Sequence, residues 1–404
     1  MAVDLDFPST LQPVAGIRLA STAAGIRHQG RDDLALFELS AGSRLAAVFT
    51  RNAFCAAPVE VARQHLSGAN PRYLLINSGN ANAGTGEPGR RDALACCQGL
   101  AAVCECQTEE VIPFSTGVIG ERLPAARINS SLPHLRSGLS SEGWLDAAQA
   151  IMTTDTLPKG ISRSLPIDGR CVTITGIAKG AGMMRPDMAT MLAYVATDAS
   201  LSQTLLEQTL RQLVGVSFNS ITVDGDTSTN DACVLIATGC SKVRIRHTDT
   251  AYHDFYQALA EVMMHLAQAI VRDGEGATKF ITVWVKGALS EQEAREVAYT
   301  VAHSPLVKTA FYAQDPNWGR LLAAVGRAGV ECLDMNHVDI SLDEVTVFSQ
   351  GGVDVAYSEQ AGQRVMARPE ITVGIDLHRG EHQAKIWTTD LSGEYVRINA
   401  EYRS

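Results

Sequence analysis

The chain has 404 residues, of which 46% are apolar and 19% charged, a balance that can bury a large core and excludes a disordered or low-complexity chain. A formal net charge of −10 excludes nucleic acid as a general partner, because phosphate binding needs a basic surface. No apolar stretch is long enough to span a bilayer, and the acidic start MAVDLDFPST lacks a basic segment followed by an apolar one, so a cytoplasmic protein is expected. The nine cysteines lie mostly inside apolar segments such as Leu94–Cys106, without a paired CxxC pattern, and read as reduced thiols.

The first part of the chain alternates strands and helices. Leu45–Thr50 and Tyr73–Asn77 read as strands and Arg90–Cys104 as a helix. Ser115-Thr116-Gly117, after the apolar VIPF, reads as a turn or a helix N-cap. The Ser-, Gly- and Leu-rich run from Ser130 to Glu142 is expected to be a surface connection. Trp144–Met152 forms a short helix that runs into the hydroxyl-rich turn Thr153-Thr154-Asp155-Thr156, which either caps a helix or binds a carboxylate.

In the second part, helices are expected at Leu201–Val214, Asp249–Arg272 and Ser290–Val301. The Asp249–Arg272 pattern puts Phe255, Leu259, Met263, Leu266 and Ile270 on one face, a core stripe. Strands are expected at Cys233–Thr238, Phe280–Val285, Val338–Leu342, Val345–Phe348, Ile371–Leu377 and Ala384–Thr388. DPNWGR at Asp315–Arg320 is a strongly punctuated turn.

Two cofactor readings are weighed and set aside. GTGEPG at Gly84–Gly89 matches G-x-G-x-x-G, but its first Gly lies several residues past the strand, Pro88 stiffens it and Glu87 would face a pyrophosphate. The cluster Asp224, Asp226 and Asp231 fails the calcium-loop template, with Thr229 where Gly is needed and Leu235 at the bidentate Glu position. No HExxH occurs among the ten histidines, so no metal is expected and Asx turns explain the aspartates.

The chain is organised around Thr173–Ala199, TITGIAKGAGMMRPDMATMLAYVATDA, in which an apolar strand meets a Gly- and Met-rich bend before a second apolar run opens at Thr190. A strained Ala189-Thr190 bond can cleave itself when the Thr hydroxyl attacks the preceding carbonyl. The new terminus then carries both nucleophile and base, since an α-amine titrates at about 7.7–8.0 and can take the proton from its own hydroxyl.

KGAGMMRPDMATMLAYVATDA resembles the processing motif of the bifunctional glutamate N-acetyltransferase/ornithine acetyltransferase family of arginine biosynthesis. Further similar segments run in order along the chain: VFTRN at Val48–Asn52, NSGNANAGTG at Asn77–Gly86, STGVIG at Ser115–Gly120 and MTTDTLPK at Met152–Lys159. VDGDTSTND at Val223–Asp231, RDGEGATK at Arg272–Lys279, SPLVKTAFYAQDPNWGR at Ser304–Arg320 and YVRINAEYRS at Tyr395–Ser404 complete the series. The family usually has Cys where this chain has Gly84, a departure with no bearing on the chemistry.

The resemblance implies a mixed α/β (α+β type) chain folded as an αββα sandwich of the ornithine acetyltransferase/DmpA-like kind, resembling N-terminal-nucleophile hydrolases but with different connectivity. It implies cleavage between Ala189 and Thr190 into an alpha chain, residues 1–189, and a beta chain, residues 190–404, assembled as a heterotetramer of two copies each. Thr190 would be the nucleophile, and Thr116 and Gly117 the oxyanion hole. Substrate contacts are expected at Thr153 (with Thr154 the close alternative), Lys179, Thr190, Glu275, Asn399 and Ser404. Acetyl would pass from N2-acetylornithine to glutamate with no cofactor, a bifunctional member also taking acetyl-coenzyme A as co-substrate. The alternatives are a self-processing amidase or aminopeptidase, in which water accepts the acyl group, and a non-catalytic metabolite-binding protein.

Overall fold

The computed structural model describes residues 2–6, 8–27, 29–185, 191–247 and 250–402. Ala189, Thr190 and Ser404 lie outside the described residues. In chain order, β1 (Ile17–Thr22), β2 (Leu34–Leu39) and β3 (Arg44–Phe49) lead to α1 (Ala57–Gly68), β4 (Tyr73–Asn77) and α2 (Gly86–Cys104). Then come β5 (Val111–Ser115), α3 (Ala125–Ser137), α4 (Trp144–Ala150) and the hairpin of β6 (Lys159–Ile167) and β7 (Arg170–Lys179). Beyond the bend, β8 (Leu192–Thr197), α5 (Gln203–Val216), β9 (Ala232–Ala237) and α6 (Thr250–Arg272) complete the central body.

These elements stack as four layers, an αββα sandwich. One sheet has the order β1-β2-β4-β5 and the other β3-β9-β8-β7-β6. The period of two along each strand sorts its residues between layers. Leu74 and Ile76 of β4 point into the space between the sheets, where they meet Tyr194 of β8 and Val234 of β9. Tyr73 and Leu75 point outward onto Cys97 and Leu100 of α2 and Leu132 of α3. Ala193 and Val195 of β8 and Cys233 and Leu235 of β9 face the other way, onto α5 and α6. Because β8 and β9 are covered on both faces, all their residues are buried, and their sequences read as unbroken apolar runs.

A third sheet, with its own helices and core, follows. Its strands are β10 (Phe280–Ala288), β11 (Asp339–Leu342), β12 (Val345–Ser349), β13 (Gly352–Val353), β14 (Glu370–Asp376) and β15 (His382–Thr389), in the order β13-β12-β11-β14-β10-β15. Helices α7 (Glu291–Ala302), α8 (Pro305–Tyr312), α9 (Trp318–Gly326) and α10 (Glu359–Met366) accompany it, and the chain ends in α11 (Gly393–Ala400).

Three segments go beyond the sequence reading. The run from Ser130 to Glu142 is half helix, because Ile128, Leu132 and Leu135 of α3 share one buried face despite the serines and an internal Pro133. The polar KGISRSLPI is strand β6, and Pro166 is tolerated there because β6 is an edge strand. GTGEPG runs into the opening of α2: a Cβ at Gly89 would come within 1.8 Å of Thr85 Oγ1, so that glycine serves local packing.

Candidate active site

The site forms at one end of the sandwich, where β4, β5 and β7 end and β8 and β9 begin. A cavity of about 270 Å³ is lined there by Thr116, Gly117, Thr153, Thr154, Lys179, Glu275 and Asn399, with Met191 and Asp231. Six of the expected site residues, four of them more than 20 residues from their nearest companion in sequence, are thereby brought together. Met191, the neighbour of Thr190 in sequence, is also on the wall.

Thr116 and Gly117 follow β5. The Thr116 N–H donates to the Asn77 carbonyl at 2.9 Å and the Val118 N–H to the Gly79 carbonyl at 3.3 Å, whereas the Gly117 N–H has no acceptor among the described residues. Gly117 has φ +131, and a Cβ on it would come within 2.3 Å of the Gly79 carbonyl carbon. Glycine is required by this backbone crossing. A free backbone N–H beside a Thr hydroxyl is the donor pair an oxyanion needs.

Lys179 ends β7 with its side chain buried. Its Nζ donates to Thr153 Oγ1 at 2.8 Å and to Thr116 Oγ1 at 3.3 Å. Both hydroxyls keep their own protons for donation elsewhere. Burial pushes the Lys179 ammonium below its ordinary pKa, against the pull of Asp155, Asp231 and Glu275. Of the two threonines left open by the sequence, it is Thr153 whose hydroxyl meets Lys179, although Thr154 lines the cavity as well.

Beneath Thr153 lies a buried ion triad. Lys159 Nζ stands 2.6 Å from Asp155 Oδ1 and 2.6 Å from Asp273 Oδ2, with all three side chains essentially inaccessible. Asp155 also accepts from the Gly180 N–H at 2.7 Å and the Thr153 N–H at 3.0 Å. The triad therefore joins the Thr153 turn, the end of β7 and the end of α6. Burial alone would raise the Asp155 pKa, but Lys159, Lys179 and these hydrogen bonds hold it below the usual carboxylate range. Burial likewise opposes the charge on Lys159, and the two aspartates more than offset it, so its pKa lies above the ordinary value.

Glu275 follows α6 in a turn made by glycines. A Cβ at Gly182 would sit 2.3 Å from Glu275 Oε2, so Gly182 makes room for this carboxylate. The Glu275 N–H donates to the Ala181 carbonyl at 2.8 Å, and Asn399 Nδ2 donates to Glu275 Oε2 at 2.7 Å. Helix α11 reaches the site because its N-cap Ser392 donates to the Gly276 carbonyl at 2.7 Å while accepting from the Tyr395 N–H at 3.3 Å.

Asp231, which the sequence assigned to a turn, stands on the cavity wall. It precedes β9 directly, and its carboxyl is buried with Oδ2 lacking any partner among the described residues. Burial raises its pKa well above the ordinary carboxylate value, outweighing hydrogen bonds from Ser228 and the Met191 N–H and the attraction of Lys179. The signal available in the sequence was an aspartate abutting an uninterrupted apolar strand. Its neighbour Asn230 donates to the carbonyls of Ala81 at 2.6 Å and Ser115 at 3.0 Å, linking the two sheets at the cavity.

Asp224 is a turn residue as expected: its oxygens accept from the N–H groups of Met183 at 2.6 Å and Met184 at 2.7 Å and from the Tyr395 hydroxyl at 3.1 Å. Among the described residues no group of three His, Cys, Asp or Glu side chains is arranged to hold a metal ion, and no helix is long and apolar enough to cross a membrane.

The model of the ArgJ family matches residues 18–404. The arginine biosynthesis bifunctional protein ArgJ of Methylococcus capsulatus is 58% identical over 395 residues, which is 98% of this chain and 97% of the relative. The protein of the same name from Psychrobacter arcticus is 55% identical over 98% of each chain. A solved ornithine acetyltransferase complexed with ornithine, from Mycobacterium tuberculosis, is 37% identical over 44% of this chain and 96% of that one, with a TM-score of 0.39. With a family match that runs to the last residue, and relatives more than half identical over nearly the whole length, the chain belongs to the ArgJ family, as its ordered motifs anticipated.

Proposed function

We propose that this protein is an acyltransferase of arginine biosynthesis that moves acetyl from N2-acetyl-L-ornithine to L-glutamate through an acetyl-Thr190 intermediate. The observation that carries the reading is the pairing of charges across one cavity. Lys179 can meet an α-carboxylate, and Glu275 stands in a wall where a side-chain ammonium can meet it, while Thr116 and Gly117 supply donors for an acyl oxygen. An acylated amino acid with a cationic side chain fits this set.

In the first half-reaction Thr190 Oγ attacks the acetyl carbonyl and the terminal amine takes its proton. The oxyanion is stabilised by the Gly117 N–H and the Thr116 hydroxyl. The amide C–N bond then breaks, the proton passes to the leaving nitrogen, and ornithine departs from the ester. In the second, the amine of glutamate attacks the ester, N-acetylglutamate forms, and the Thr190 oxygen regains its proton. The kinetics are ping-pong. Acetyl-coenzyme A serves as a second donor at the same threonine, no bound cofactor takes part, and the enzyme works in the cytoplasm.

Thr190 acquires its amine by self-cleavage after Ala189, giving chains 1–189 and 190–404 that stay together, two copies of each. Ser404 and Thr153 complete the substrate contacts. Intact mass and N-terminal sequencing of the purified protein test this. Two chains are expected, one starting Thr190-Met191-Leu192 and gaining one acetyl group when mixed with N2-acetylornithine alone. A single uncleaved chain of 43.2 kDa would sink the mechanism, and hydrolysis without transfer to glutamate would make the protein an amidase.

A further inference from the structure

A second cavity, of about 240 Å³, abuts the first: Gly117, Val118, Thr153, Thr154 and Tyr402 face both. Its character is different, because its far wall carries Arg27 and Arg31. Arg31 is held in place by a bond from Nη2 to the Met152 carbonyl at 2.6 Å, next to Thr153 in sequence. Arg27 is half-buried, with Nη1 at 3.5 Å from Glu121 at the exposed rim. The remaining charged group, Asp33, is already engaged, accepting from the N–H groups of Ala24 at 2.7 Å and Ile26 at 2.6 Å.

The proposed transfer requires such a place. Its two amino acids share an α-carboxylate and an amine but carry opposite charges at the ends of their side chains. Glu275 suits the ammonium of ornithine and repels the second carboxylate of glutamate. One acyl position must therefore be reached from two side-chain directions, and the shared wall at Thr153 and Gly117 is where they would diverge.

We propose that the Arg27/Arg31 cavity is an anion subsite that receives the side-chain carboxylate of the acetyl acceptor. The assignment rests on the transfer to glutamate proposed above. The planar fork of a guanidinium suits a carboxylate, whereas an ammonium-bearing side chain is turned away from the same cavity by charge. Acceptor selection thus lies in the N-terminal half of the chain and donor selection at Glu275 and Asn399.

The test separates the half-reactions in the processed enzyme. Ornithine release from N2-acetylornithine reports the first, and decay of the isolated acetyl-enzyme with glutamate or with glutamine reports the second. In the wild type, glutamate should be preferred over glutamine. Arg31→Gln should raise the glutamate KM about 10- to 100-fold, the loss expected for a charged hydrogen bond, and level that preference, while ornithine release falls far less. Arg31→Lys, which keeps the charge, should lie between the two. Equal losses in both half-reactions, or an unchanged glutamate KM, would overturn the subsite. So would a wild type indifferent between glutamate and glutamine, a measurement that needs no variant. A loss confined to the acetyl-coenzyme A reaction would assign the cavity to that donor's phosphates and overturn the acceptor role. Absence of any acetyl-enzyme in the wild type would overturn the transfer itself and, with it, the acceptor role of this cavity, a failure told apart from the others because it needs no variant.

Discussion

Asn399 Nδ2 lies 2.7 Å from Glu275 Oε2, so the C-terminal helix is joined to the turn after α6 by a carboxylate on the cavity wall. The bond leaves Glu275 oriented and able to accept from a second donor. Glu275→Gln should raise the KM for N2-acetylornithine about 10- to 100-fold, with a smaller change in kcat, as expected for a lost charged contact. Asn399→Ala should cost less, about 0.5–1.5 kcal/mol in kcat/KM. Steady-state kinetics on both variants decide this, and an unaltered KM in Glu275→Gln would remove the donor role of that carboxylate.

Lys179 supplies the next expectation. Its pKa is depressed by burial, so its positive charge is lost on the alkaline side at a lower pH than for a solvated lysine. Affinity for a carboxylate substrate should therefore be full below the depressed value and fall as pH rises through it. Lys179→Arg stays charged throughout, and its KM profile should be flatter at high pH even if its overall activity is lower. An identical alkaline limb in both proteins would assign that titration to another group.

The Lys159 triad should govern stability rather than chemistry. Lys159→Met leaves Asp155 and Asp273 buried without their cation, a loss of about 3–5 kcal/mol, readable as a lower denaturant midpoint. Because the folded-state pKa of Asp155 is lowered, its contribution is present above the ordinary carboxylate pKa and disappears as pH falls through the folded value. The wild type should thus lose more stability on acidification than Lys159→Met. A variant as stable as the wild type at pH 7 would contradict the argument.

Asp231 should behave with the opposite sign. Its folded-state pKa is raised, so the folded protein binds a proton that the unfolded chain has released, and stability declines as pH rises from the ordinary carboxylate range through the folded value. Asp231→Asn removes that dependence. Its Tm relative to wild type should climb between pH 4 and the folded-state pKa, and a Tm difference that stays constant with pH would show that the carboxyl is not carrying the proton.

Much of the architecture was written locally. LAYVAT and ACVLIA are unbroken apolar runs because β8 and β9 are covered on both faces, whereas α6 shows a 3.6-residue stripe because only one side of that helix is buried. Helix α3 and strand β6 were not legible, since serines, a proline and an edge position blur their periodicity until neighbouring elements supply the packing. The candidate residues named from the ordered motifs converge on one cavity where described, but Asp231 escaped, because only the parallel register of β8 with β9 sets it beside Met191.

By itself, then, the sequence determined the acidic, core-forming character of the chain, its main strands and helices and its family, because each depends on composition, period or an ordered set of short motifs. Tertiary structure alone decided that Gly117 crosses the Gly79 backbone, that Lys179 meets Thr153, and that Arg31 and Tyr402 face one cavity. Those relationships join residues distant along the chain. They are set by how the two sheets and the C-terminal helix pack, and no local pattern encodes a distance across that packing.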